Sequence, residues 1–160
     1  MNITKILEYA LERENEGKRF FDENAERLQN PAAQRAFKAI ASEEQRHINF
    51  IAAQLAAFAN AAPAPAPELP QAGFFAERAE NENIAETVGD SMLGDLPVLR
   101  MAYLIEHDFA EFYKMAAGKA EGQAKETLLM LSKWESGHER LFKRMHDQAF
   151  EKYALMPWEE

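Results

Sequence analysis

The chain has 160 residues, enough for one domain with a real hydrophobic core and no need of disulfide staples. Its 18 Lys and Arg against 27 Asp and Glu leave a net charge of −9, which argues against nucleic acid or an anionic membrane surface as partner. The absence of cysteine excludes disulfides, thiolate zinc sites and cysteine-ligated iron–sulfur or rubredoxin-type centres.

Met1 to Glu16 carries charges every few residues and no apolar signal-peptide run. No stretch approaches the roughly 20 apolar residues of a membrane span. A cytoplasmic protein without membrane contact is the expectation.

The first segment, Ile3 to about Leu28, predicts a long helix whose stripe at three- and four-residue steps is Leu7, Ala10, Glu14, Gly17, Phe21, Asn24 and Leu28. Gly17 reads as a close helix-packing point, with a local weakness of the helix as the alternative. Asn30-Pro31 marks a short turn, with proline suited to the first turn of the next helix. The second segment, Ala32 to about Phe58, repeats the pattern with Phe37, Ile40, Glu44, His47, Ile51 and Phe58. The short connection predicts an antiparallel hairpin over 3–58.

From Asn60 the composition changes to a proline-alternating run, expected to be extended and close to polyproline II. A short helix is predicted from Phe74 to about Val88. Together, residues 60–95 form a long crossover. A third helix begins at Asp95-Leu96-Pro97 and continues to about Ala117, with the stripe Leu99, Ala102, Glu106, Phe109, Tyr113 and Ala116. Gly118 and Gly122 punctuate the next turn. The fourth helix, about Ala124 to Tyr153, reads Leu128, Leu131, Glu135, His138, Phe142, Met145 and Ala149. The second hairpin spans 96–153. The fold class is all-α: one four-helix bundle domain over 1–160, in which a crossover that traverses the bundle makes helices two and three parallel.

The halves repeat. An offset of 92 lays Ala10, Glu14, Phe20, Phe21 and Ala25 onto Ala102, Glu106, Phe112, Tyr113 and Ala117. An offset of 91 lays Glu44, His47, Phe50 and Ile51 onto Glu135, His138, Leu141 and Phe142. The chemically odd residues match, so two hairpins related by a pseudo-twofold axis would bring four seams together.

The polar insertions on these seams are Glu14, Glu44 with His47, Glu106, and Glu135 with His138. Residues three apart share a helix face, so each Glu-x-x-His pair points one way. A lone pair of this kind is ordinarily a solvated face, and Glu14 or Glu106 alone reads as a surface carboxylate. Six at matching positions on four apolar seams are different, because buried carboxylates repel one another and lose hydration. Two divalent cations would supply +4 against the four carboxylates, with two neutral imidazoles completing the set. Oxygen and nitrogen donors without sulfur suit iron or manganese rather than structural zinc. Tyr113 reads as core, with the alternative that its hydroxyl touches a ligand. Tyr103 and Trp134 read as packing, His107 as exposed, and His146 as lying towards the bundle end.

Four stretches carry a family resemblance: residues 10–21 (Ala-Leu-Glu-Arg-Glu-Asn-Glu-Gly-Lys-Arg-Phe-Phe), 43–47 (Glu-Glu-Gln-Arg-His), 105–113 (Ile-Glu-His-Asp-Phe-Ala-Glu-Phe-Tyr) and 135–139 (Glu-Ser-Gly-His-Glu). The chain resembles the ferritin-like superfamily and, within it, the rubrerythrin-like diiron-carboxylate proteins. The resemblance implies Glu14, Glu44, His47, Glu106, Glu135 and His138 as ligands of two iron ions, with Glu44 and Glu135 as bridges and manganese as the alternative metal. It also implies redox chemistry: reduction of hydrogen peroxide or O₂, or oxidation of ferrous iron. Two departures follow. Rubrerythrins proper carry a rubredoxin domain, and this cysteine-free sequence contains none, so electrons are expected from a separate donor. They also carry an extra carboxylate one helical turn after the third-helix ligand, where this chain has Phe109. The expectation is a homodimeric diiron oxidoreductase; the alternatives are a ferroxidase serving iron storage or detoxification, and a non-catalytic helical interaction module.

Overall fold

A computed structural model describes residues 2–61 and 93–157. It contains four helices and, among the described residues, no strand: α1 (Ile3–Ala25), α2 (Pro31–Ala59), α3 (Asp95–Ala117) and α4 (Gly122–Ala154). The limits agree with the sequence reading to within three residues. The proline-rich run and the short helix predicted at 74–88 lie outside the described residues. None of the described helices is long and apolar enough to cross a membrane.

Local chemistry fixes the ends. Asn2 caps α1 by accepting the Lys5 amide N–H. The Asn30 side chain accepts the amide N–H groups of Ala32 and Ala33, at 2.9 and 3.1 Å, while Pro31 opens α2 where a missing N–H costs nothing. Gly122 starts α4 at φ 55°, a left-handed conformation that glycine adopts without steric cost.

One side chain sets the arrangement of the two hairpins. The buried Asp95 carboxylate, in the first turn of α3, accepts the amide N–H groups of Gln29 and Asn30 in the α1–α2 turn at 2.8–3.0 Å. Helix α2 and helix α3 therefore begin at the same end of the bundle and run parallel, as expected for a traversing crossover. At the other end Tyr9 of α1 packs on Phe112 of α3, with ring centroids 5.1 Å apart, so these two helices are antiparallel neighbours. Helix α2 sits against α4 on the opposite side.

The core forms two apolar layers. Nearest the α1–α2 turn, Phe21, Phe37 and Phe142 meet at centroid distances of 5.1–5.3 Å, surrounded by Ile40, Leu99 and Met145. Each fully buried phenyl ring contributes about 2 kcal/mol of transfer free energy. At the far end Leu7, Ile51, Leu128 and Leu131 pack around Tyr113. The polar seam residues lie between these layers.

The stripes deviate in small ways. Ala25 takes a buried place and Asn24 is half-buried, its side chain donating to the Phe20 carbonyl. Phe58 is likewise half-buried. On α3 the buried position belongs to Ala110, and Phe109 is half-exposed at the seam with α1.

Candidate metal centre

All six predicted site residues are fully buried and stand in one layer. Helix α1 supplies Glu14, α2 supplies Glu44 and His47, α3 supplies Glu106, and α4 supplies Glu135 and His138. Each sits at the point of its amphipathic stripe that faces the bundle axis.

The residues divide into two sets whose donor atoms lie within 4.8 Å of one another: Glu14, Glu44, His47 and Glu135; and Glu44, Glu106, Glu135 and His138. Glu44 and Glu135 belong to both. Each imidazole turns its Nδ1 towards three carboxylates. His47 Nδ1 is 2.8 Å from Glu135, 3.2 Å from Glu14 and 3.7 Å from Glu44. His138 Nδ1 is 3.1 Å from Glu44, 3.3 Å from Glu135 and 3.4 Å from Glu106. The two rings lie nearly parallel, 10° apart, with centroids at 5.4 Å.

Electrostatics make this layer costly to bury. Loss of hydration, then repulsion from Glu135 and Glu14, pushes the Glu44 carboxyl up. Burial does the same to Glu106. Burial also acts on both imidazoles, disfavouring their charged forms, yet the facing carboxylates outweigh it and raise His47 and His138. Glu135 goes the other way: burial would raise it, but the two imidazoles hold it well below the usual carboxylate range. Neither oxygen of Glu44, Glu106 or Glu135 accepts a well-directed hydrogen bond, and the two imidazole Nδ1 atoms are what six buried acceptor atoms face. Two cations would satisfy these oxygens and the net negative charge together. The donor set, four carboxylates and two imidazoles, fits hard or borderline divalent metals that take oxygen and nitrogen.

Three further contacts surround the layer, and the sequence reading gives no indication of the one made by Glu43. The Tyr113 hydroxyl donates to Glu14 Oε1, the alternative raised for this residue. Glu43, buried beside Glu44, places Oε2 3.4 Å from His138 Nε2. Trp134, read as packing, lies against His47 with centroids 4.4 Å apart. The signal for Glu43 was its place one turn before His47 on the same helix, a second polar line beside the first. His107 is half-exposed and pairs with Glu139, as expected for a residue off the seam. His146 pairs with Asp147 and packs on Tyr103 and Phe150, away from the centre.

A family model described as Rubrerythrin covers residues 5–88, more than half of the chain. That span contains Glu14, Glu44 and His47; Glu106, Glu135 and His138 lie beyond it. No curated protein and no solved structure matches.

Proposed function

Since this chain belongs to the rubrerythrin family, we propose that its six buried residues hold two iron ions and that the centre reduces hydrogen peroxide or O₂. One observation carries the proposal: two four-residue donor sets, fully buried, share Glu44 and Glu135. A single ion in either set would leave Glu106 or Glu14 without a cation. Two ions, one in each set, would satisfy them, with Glu44 and Glu135 available to both, and manganese is the alternative with the same donor preference.

Bound iron would supply two electrons, one from each ferrous ion, so that peroxide and two protons become two water molecules. The protein's own groups prepare the site for that exchange. Glu44 and Glu135 tie the two positions together. Tyr113 fixes the Glu14 carboxylate by donating to one oxygen, leaving the other directed at the centre. Glu43 accepts the Nε2 proton of His138 and so commits Nδ1 as the donor atom. Apolar layers above and below exclude water, which keeps ligand exchange confined to the centre. These 160 residues contain no cysteine, so a thiolate-ligated electron donor would lie outside them. A homodimer is the proposed assembly.

The test is a metal titration of the purified chain followed by rapid mixing of the reduced protein with each oxidant. Two metal ions per chain and faster consumption of peroxide than of O₂ support the reading. A large hollow shell that accumulates iron would replace it by storage, and binding of fewer than two ions would remove it. Anomalous scattering at the iron and manganese edges identifies the metal.

A further inference from the structure

Gly17 and Phe109 hold the same place in the two halves, each one helical turn after its glutamate, and they meet across the α1–α3 seam. A Cβ placed on Gly17 would stand 3.1 Å from Cε2 of the Phe109 ring and 3.9 Å from Oε2 of Glu44. Outside this contact the seam opens into a cavity of about 310 Å³, with Gly17 and Phe109 among its walls beside Ile105 and Phe112 and with Arg13 and Asp108 at its edge. The missing side chain at Gly17 and one phenyl ring are thus what separates the cavity from a carboxylate shared by both donor sets. The α2–α4 side is built differently: there Trp134 and Glu43 press on the two imidazoles.

The chemistry of the passage selects what can use it. Arg13 is paired with Glu16 at 2.9 Å and its guanidinium lies over the Tyr9 ring, which leaves Asp108 as the lining charge outside an ion pair among the described residues. The contact nearest Glu44 is made by Gly17 and the Phe109 ring. There a hydrated divalent cation would have to shed its water against a phenyl ring, which offers no ligand oxygen in exchange. A small uncharged molecule meets no such barrier.

We propose that the α1–α3 cavity is the access path for a small neutral oxidant, O₂ or hydrogen peroxide, and that the Phe109 ring over Gly17 is its gate. The proposal rests on the dinuclear reading above. Rotation of Phe109 away from Gly17 opens a route to the Glu44 side of the centre, and its return closes the layer to water. A side chain in this role limits the rate of encounter without touching the reacting atoms.

The experiment uses the full chain loaded with ferrous iron, with metal per chain measured before any oxidant is added. Stopped-flow oxidation by O₂ and by peroxide then gives bimolecular rate constants for the native protein, Phe109→Ala and Gly17→Ala. Phe109→Ala is expected to raise both constants several-fold. Gly17→Ala, which favours the helix but crowds the ring, is expected to lower them, and the double variant to return towards the native value. Metal content stays the same throughout. A metal-independent readout accompanies this: xenon under pressure should occupy the α1–α3 cavity and reach further inward in Phe109→Ala crystals. Unchanged rate constants in both single variants at unchanged metal content, or xenon reaching the centre past Trp134 instead, overturns the path while leaving the dinuclear centre intact. Fewer than two metal ions in the native chain removes the centre and the path together.

Discussion

Glu43 on α2 and Trp134 on α4 stand at equivalent positions 91 residues apart, and each lies against the imidazole of the opposite half. Glu43 offers a carboxylate oxygen to His138 Nε2 at 3.4 Å, whereas Trp134 offers His47 only its ring face, and His47 Nε2 has no hydrogen-bond partner among the described residues. The pseudo-twofold that governs the six central residues is therefore broken one layer out. A carboxylate behind an imidazole fixes its tautomer and makes it a better donor, so two ions held by these sets would meet unequal donors although the sets match in residue type.

Glu43→Ala should accordingly weaken metal binding at the set containing Glu106 and His138 by about 10- to 100-fold, the usual effect of losing such a partner. Trp134→Phe should leave affinity nearly unchanged. Calorimetric titration of both variants checks this: the expected result is one weakened step in Glu43→Ala and two native-like steps in Trp134→Phe. Equal weakening of both steps by Glu43→Ala would contradict the asymmetry.

Shared and unshared ligands should behave differently in stoichiometry. Glu44→Gln removes a carboxylate common to both sets and is expected to abolish binding of both ions, whereas Glu14→Gln removes one from a single set and should leave one ion per chain. Elemental analysis after reconstitution reads the difference. The metal-free Glu44→Gln protein should also be more stable than the native metal-free chain, because a buried carboxyl raised by desolvation and by Glu135 and Glu14 has been replaced by a neutral group of similar shape.

Tyr113→Phe keeps the ring that packs in the far apolar layer and deletes only the hydroxyl donated to Glu14. Removing one partner of a buried hydrogen bond costs about 1–3 kcal/mol, because the other is left unsatisfied. The variant is expected to lose that much stability by urea unfolding in the metal-free state. A loss well under that range would mean that Glu14 finds another donor.

Much of this centre was readable before the fold. Helical spacing alone placed Glu14, Glu44, His47, Glu106, Glu135 and His138 on buried stripes, because a 3.6-residue period assigns a residue to a face without knowing what the face meets. What it cannot assign is the neighbour. Glu43 looks like a surface carboxylate beside Glu44 until α4 brings His138 against it. The Tyr113–Glu14 hydrogen bond spans 99 residues of sequence. Phe109 satisfied the stripe spacing, yet the glycine opposite lets its ring lie in the α1–α3 seam while Ala110 fills the core position.

The pH dependence of stability should reverse sign with metal. In the metal-free protein, burial opposes charge on His47 and His138, but the carboxylates facing them raise both above the ordinary value of 6.5. Burial likewise raises Glu44 and Glu106 above 4.5. A group raised in the folded state binds its proton more tightly there than in the unfolded chain. Its stabilisation is complete below the unfolded value and is lost as pH climbs through the folded one. Glu135 is lowered and acts oppositely, contributing above 4.5 and losing that contribution in acid. Glu135 acts only below 4.5, so above that value the raised groups alone set the sign, and the metal-free melting temperature falls as pH rises through 6.5. Metal binding displaces those same protons, so its stabilisation grows as pH rises. Thermal unfolding with and without chelator on either side of pH 6.5 should show the two curves diverging upward in pH. A metal-free protein that grows more stable towards alkaline pH would show that the six residues are not packed against one another as described.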